Sequence, residues 1–103
     1  MFSEVSGFDW DDAITSKAQS HGVTIEEIEG FFRASIHVFP DIAHSNIERR
    51  YVAVGQGSSR RHLFVAFTVR AHGSERLIRP ISARYMHERE VTHYEAQIAI
   101  APK

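Results

Sequence analysis

The spacing of apolar positions changes twice along the chain. Up to about residue 33 they recur every three or four residues; beyond it they alternate, and a helical spacing returns near the end. In the first stretch Trp10, Ile14, Lys17, Ala18 and His21 fall on one helical face. Asp9 is an N-cap type, Asp11 and Asp12 sit where the helix dipole favours negative charge, and Gly22 is a natural stop, which predicts a helix over residues 9–22. Thr24 and Glu27 then have the spacing of a capping box, and Val23 and Ile28 that of a hydrophobic staple. A second helix is expected from Thr24 to about Arg33, burying Ile25, Ile28, Phe31 and Phe32.

The alternating part begins with a short run, residues 36–39, that stops at Pro40 and gives way to a polar loop ending near Asn46. Residues 49–55 and 61–70 are rich in Val, Phe, Tyr and Thr, and Gln56, Gly57, Ser58 and Ser59 between them suit a hairpin connection. A third long strand, residues 76–82, follows a turn at 71–74. Residues 86–98 return to helical spacing through Val91, Tyr94 and Ile98, a stripe able to cover one face of a sheet. The expected architecture is α+β: two N-terminal helices, an antiparallel sheet of about four strands and a C-terminal helix, with the helices mainly on one side. Within 61–70, Leu63, Val65, Phe67 and Val69 should face the helices, while His62, Phe64, Ala66, Thr68 and Arg70 face the other way. A polar end on an apolar face suits a binding site and a solvated strand edge equally.

Composition narrows the chemistry. The 103 residues suit one domain, and the 43% hydrophobic, 24% charged make-up is that of an ordinary globular chain. There is no cysteine, which removes disulfides, thiolate zinc sites and cysteine nucleophiles. No apolar run approaches the roughly 18 residues of a membrane span, and residues 1–6 lack the basic start and apolar stretch of a signal peptide, so a cytoplasmic protein without membrane contact is expected. The net charge of -1 hides a division. Residues 1–47 hold eight acids and two bases, a net -6, whereas residues 48–103 hold ten bases and five acids, a net +5. Ten of the twelve basic residues are arginines, the planar bidentate donors suited to phosphate oxygens.

Several chemistries drop out. The seven histidines show no His-Glu-x-x-His spacing, and His87 with His93 do not share a helix face closely, so no metal or other cofactor is expected. Gly55 and Gly57 lack the third glycine of a phosphate loop, and no Gly-x-Ser-x-Gly elbow occurs. Arginine-based phosphate chemistry remains. Metal-free RNA cleavage requires activation of the ribose 2′-hydroxyl, cations on the developing phosphorane and a proton for the leaving 5′-oxygen. Arg61, Arg70, Arg79 and Arg84 fall on or just beyond adjacent expected strands, where they can converge on one sheet face. Lys17 and His21 are i, i+4 neighbours and form a second candidate cluster. Plainer readings stand beside these: arginines paired with acids of the first half, a solvated Lys17, and a His21 favoured by a helix end.

Five blocks carry a family likeness: Phe8-Asp9-Trp10-Asp11 with Lys17; His21-Gly22-Val23-Thr24 with Glu26-Glu27; His44-Ser45 with Glu48-Arg49; Phe67-Thr68-Val69-Arg70; and Arg79-Pro80-Ile81-Ser82-Ala83-Arg84-Tyr85-Met86 with Glu90 and Tyr94-Glu95. In this order and spacing they resemble the BrnT family of type II toxins. The resemblance implies a RelE-like fold, a ribonuclease activity that inhibits translation, and a BrnA-type antitoxin that neutralises the toxin and alone contacts operator DNA. It adds weight to Lys17, His21, Arg70, Arg79 and Arg84. The chain departs from the family at two places: Ser20 stands where many members have a basic residue, which lowers the local positive charge, and Thr15 and Ser16 stand where many have Asn. The expected catalytic set is Arg70 and Arg84 on the scissile phosphate, His21 for proton transfer and Lys17 for charge, with Arg61, Arg79 and Tyr85 binding the RNA. A different expectation is a member without nuclease activity that serves as a protein-binding module in an antitoxin and repressor complex.

Overall fold

The computed structural model of the chain describes residues 6–12, 16, 21–34, 36–41, 48–57 and 60–100. Its elements in chain order are β1 (Gly7–Phe8), α1 (Ile25–Arg33), β2 (His37–Pro40), β3 (Arg50–Gln56), β4 (His62–His72), β5 (Glu75–Tyr85) and α2 (Glu88–Ile100). Of the first expected helix, Asp12 and Ser16 are helical, while Ile14, Lys17 and Ala18 lie outside the described residues, as do His44, Ser45 and Asn46 of the polar loop.

Local chemistry accounts for α1. Gly22 adopts a φ of 80°, a left-handed conformation that costs a side-chain-bearing residue roughly 1–2 kcal/mol. The Thr24 hydroxyl accepts the Glu27 backbone N–H at 3.1 Å, and Val23 and Ile28, the staple pair, are both fully buried. Ile28 and Phe31 then face a sheet surface made by Ala53, Leu63, Val65, Phe67, Ile78 and Ala83. Phe67 is the centre of that core: Phe32 meets it edge-on at 5.1 Å and Tyr51 stacks on it at 5.5 Å.

The sheet has five strands in the order β1-β5-β4-β3-β2, and it is mixed rather than antiparallel throughout. β1 runs parallel to β5, pairing Gly7 with Leu77 and Phe8 with Ile78, and Asp9 N–H extends the ladder to the Ile78 carbonyl at 2.8 Å. Two residues are too few to leave an alternating pattern, which explains the missing strand in the sequence reading. The short run before Pro40 is the edge strand β2, and Pro40 at its end lacks the N–H that a central strand would need. β5 extends through Tyr85, three residues beyond its expected end.

β4 and β5 turn through Gly73, whose φ of 63° suits a two-residue hairpin. Their register shifts once: Ala66 pairs with Ser82 but Phe67 pairs with Pro80, so Ile81 is an extra residue in β5. Pro80 has no N–H to give the ladder, and a bulge beside it forfeits little. The bulge also changes which side chains share a face. Ile78, Pro80, Ala83 and Tyr85 lie on the α1 face, and Leu77, Arg79, Ser82 and Arg84 lie on the other.

α2 covers part of that second face. The Tyr94 ring meets His62 and His37 edge-on at 5.8 and 5.6 Å. The helices therefore lie on both sides of the sheet, which corrects the expectation of one covered side. The physical reason is the apolar end of the second face, where Val54 and Phe64 also need a cover.

Candidate nucleic-acid interface

β-sheet register brings three arginines and a hydroxyl together at one end of the second face. Arg50, Thr68 and Arg79 are direct neighbours on β3, β4 and β5, and Arg70 follows Thr68 by two residues on the same side of β4. Arg79 Nη2 donates to Asp11 Oδ2 at 3.1 Å, and Arg70 Nε lies 3.8 Å from Glu48 Oε2. Asp11 follows β1 and Glu48 leads into β3, so four separate stretches of chain meet here. Thr68 is only 3% exposed, and its Oγ1 has no hydrogen-bond partner among the described residues.

The electrostatics favour an anion. The ion pairs of Arg79 with Asp11 and of Arg70 with Glu48 are both partly solvated. Pairs of that kind contribute about 0–1 kcal/mol, so a phosphate able to take two parallel N–H bonds can displace a carboxylate cheaply.

The remaining expected site residues lie elsewhere. Arg84 is opposite Phe64, six residues along β4 from Arg70, which separates the two arginines by roughly 20 Å. They do not share one phosphate. Arg84 makes a bidentate bond to Glu90 at 2.8 and 2.9 Å, and its guanidinium lies 4.6 Å over the Phe64 ring. Glu90 also accepts the His87 backbone N–H at 2.9 Å, capping α2. The hydrogen bonds from Arg84, with that from His87 next, lower the Glu90 pKa to about 2, and the same contact raises that of Arg84. Arg84 therefore clamps the start of α2 to β5.

Tyr85 points to the opposite side. Its hydroxyl donates to the buried Glu27 carboxylate at 2.5 Å, and the Arg61 guanidinium sits 3.6 Å over its ring. The Gly22 carbonyl is 3.4 Å from the same hydroxyl, and His21 is exposed in the turn just before it. Arg61, Tyr85 and the His21 turn thus form a second cluster on the α1 side, away from Arg70 and Arg79. Lys17 lies outside the described residues. The expected convergence of Arg61, Arg70, Arg79 and Arg84 is realised only for Arg70 and Arg79. Sequence reasoning passed over Arg50, whose signal was its place at the head of a strand, and took Asp11 as a first-turn acid and both Asp11 and Glu48 as parts of family-like blocks, not as partners of arginines. Among the described residues no three His, Asp or Glu side chains gather as metal ligands, and no helix is long and apolar enough to cross a membrane.

A family model described as the ribonuclease toxin BrnT of type II toxin–antitoxin systems matches residues 10–90. The chain belongs to the BrnT family. A comparison with curated proteins finds no match. The matched span contains Asp11, Glu48, Arg50, Thr68, Arg70 and Arg79, every residue of the arginine end. Membership in a BrnT toxin family also implies an antitoxin partner.

Proposed function

We propose that this BrnT chain is a RelE-like endoribonuclease that cleaves RNA without a metal, inhibits translation in the cytoplasm, and is held in check by a BrnA-type antitoxin that alone contacts operator DNA. The observation that carries the reading is the row Arg50, Thr68, Arg79 with Arg70 beside it, a dense cluster of phosphate donors inside the span matched by a ribonuclease family.

In this reading Arg79 and Arg50 bind the two non-bridging oxygens of the scissile phosphate, and Arg70 neutralises charge that grows as the 2′-oxygen attacks. The buried Thr68 hydroxyl supplies a further hydrogen bond. Such preorganised donors contribute most where charge develops in the transition state. Glu48, released from Arg70 as the phosphate docks, takes the 2′-hydroxyl proton. The 2′-oxygen bonds to phosphorus, the 5′-oxygen leaves and takes up a proton, and the products are a 2′,3′-cyclic phosphate and a 5′-hydroxyl. His21, Arg61 and Tyr85 hold RNA beyond the scissile bond on the α1 side, and Arg84 acts by positioning α2.

The test is purified chain incubated with single-stranded RNA in the presence of EDTA, followed by end-group analysis. Cyclic phosphate ends, absent from the Arg79→Ala protein, are expected. Intact RNA at an enzyme concentration that also arrests growth on expression, or cleavage undiminished in Arg79→Ala, overturns the reading.

A further inference from the structure

The second face carries another feature that phosphate binding leaves unused. Between α2 and strands β2 to β4 lies a cleft of about 500 Å³, lined by Phe39, Val54, Phe64 and Met86 together with Arg89 and Gln97. We propose that this cleft is a nucleobase subsite, in which a base flanking the cleaved bond stacks on Phe39 within the apolar lining; the proposal rests on the reading of the arginine end as an RNA site.

Three observations carry it. First, position: Val54 and Phe64 are each four residues from Arg50 and Thr68 on the same face of β3 and β4, roughly 13 Å along the strands. A short single-stranded segment spans that distance, so a chain whose phosphate lies on the arginines can lay a neighbouring base in the cleft. Second, exposure: Phe39 is the large apolar residue left exposed, at 47%, among those described, and it lines the cleft. Third, chemistry: the apolar lining is accompanied by donors suited to base edges, the Arg89 guanidinium, the Gln97 amide and the His93 ring 3.4 Å from it. Recognition of single-stranded RNA combines stacking on aromatic rings with hydrogen bonds to the base edge. A peptide helix instead asks for a long apolar groove, whereas the α2 side of this cleft is lined by the polar side chains of Arg89, Glu90, His93 and Gln97.

The experiment uses fluorescein-labelled 2′-O-methyl hexamers, which cannot be cleaved, in three forms: all uridine, all adenine and abasic throughout. Fluorescence anisotropy is expected to show the full chain binding one of the base-bearing hexamers about tenfold more tightly than the abasic one. Phe39→Ala, at a half-exposed position, should reduce that preference to about twofold and leave the abasic affinity unchanged; Gln97→Ala should alter the ratio between uridine and adenine. Equal affinity for all three hexamers, no binding of any, or a preference that survives Phe39→Ala overturns the subsite. So does a Phe39→Ala protein with normal hexamer binding but a weakened hold on its purified antitoxin, which would make the cleft a protein-docking surface. Arg79→Ala separates the two readings: failure to weaken the abasic hexamer counts against the arginine end and leaves the base preference to be judged by Phe39→Ala.

Discussion

Arg79 lies beside Thr68 across β5 and β4, and it shares a face with Arg84, five residues further on, because Ile81 is inserted between them as a bulge. In a regular strand residues five apart point to opposite faces. Deleting Ile81 therefore forces either Arg79 into the core or Ser82 and Arg84 into it, and burial of an unpaired guanidinium costs far more than a domain of this size can spare. The expected outcome is loss of cooperative unfolding in a urea titration, whereas Ile81→Val, which keeps the count, should cost less than about 1.5 kcal/mol.

Arg79→Ala and Arg84→Ala should fail differently. In the proposed mechanism removing Arg79 takes away a transition-state donor, with an expected loss of about 100-fold or more in cleavage rate, while its partly solvated pair with Asp11 contributes about 1 kcal/mol or less to stability. The salt dependence of RNA affinity should also flatten, by about 0.7 in log–log slope for one lost phosphate contact. Arg84→Ala should lower the melting temperature and leave that slope alone. Melting curves and salt titrations of both variants distinguish the roles.

The Arg84–Glu90 pair sets an acid limit on stability. The folded-state pKa of Glu90, about 2, is below its ordinary 4.5, so its contribution is complete above the higher value and disappears as pH falls towards the lower. Side-chain exposure of 37% and 36% means solvent screens the pair strongly, and about 1 kcal/mol is the expected size. Urea unfolding of wild type and Glu90→Gln at pH 6 and pH 2.5 should show a stability gap at the first pH that narrows to about a quarter at the second. A gap that is constant with pH would falsify this account.

Thr68→Val exchanges an unpartnered buried hydroxyl for a methyl group. Stability should be unchanged or rise by about 1 kcal/mol, since a desolvated polar group without a hydrogen bond is relieved. RNA affinity should fall if the hydroxyl meets phosphate. Thermal melting paired with RNA titration reads both, and a stability loss above about 1 kcal/mol would show that Thr68 has a structural partner.

Tyr85→Phe removes the hydroxyl that Glu27 accepts and should cost about 1.5–3 kcal/mol, the range for hydrogen bonds to charged groups. Chemical denaturation measures it. A change within about 0.5 kcal/mol would mean that water or another donor replaces the hydroxyl.

Local signals in the sequence were sufficient for α1 and most of β4. Thr24, Glu27, Val23 and Ile28 act within one turn of each other, and the Leu63, Val65, Phe67 alternation needs no distant partner to be seen. What was hidden depended on pairing. β1 exists because Leu77 and Ile78 receive Gly7 and Phe8, and the bulge at Ile81 is visible only once β4 is laid against β5. The site was divided in the same way. Arg70 and Arg79 were readable as arginines on neighbouring strands, but Arg50 joins them through the register of β3, and Arg84 departs because β5 runs three residues longer than its apolar pattern suggested.

The bond between Asp11 and Arg79 joins residues 68 positions apart, and among the described residues β1 pairs with β5 alone. During synthesis from the N-terminus, Asp11 waits for most of the chain before its arginine exists, and closing so long a loop is slow compared with forming α1 or the β3–β4 hairpin. The arginine end is thus among the last parts of the molecule to be assembled. In the proposed reading a nascent chain therefore lacks its phosphate site until β5 has emerged from the ribosome, and the delay gives an antitoxin already in the cell time to meet the toxin as it is completed.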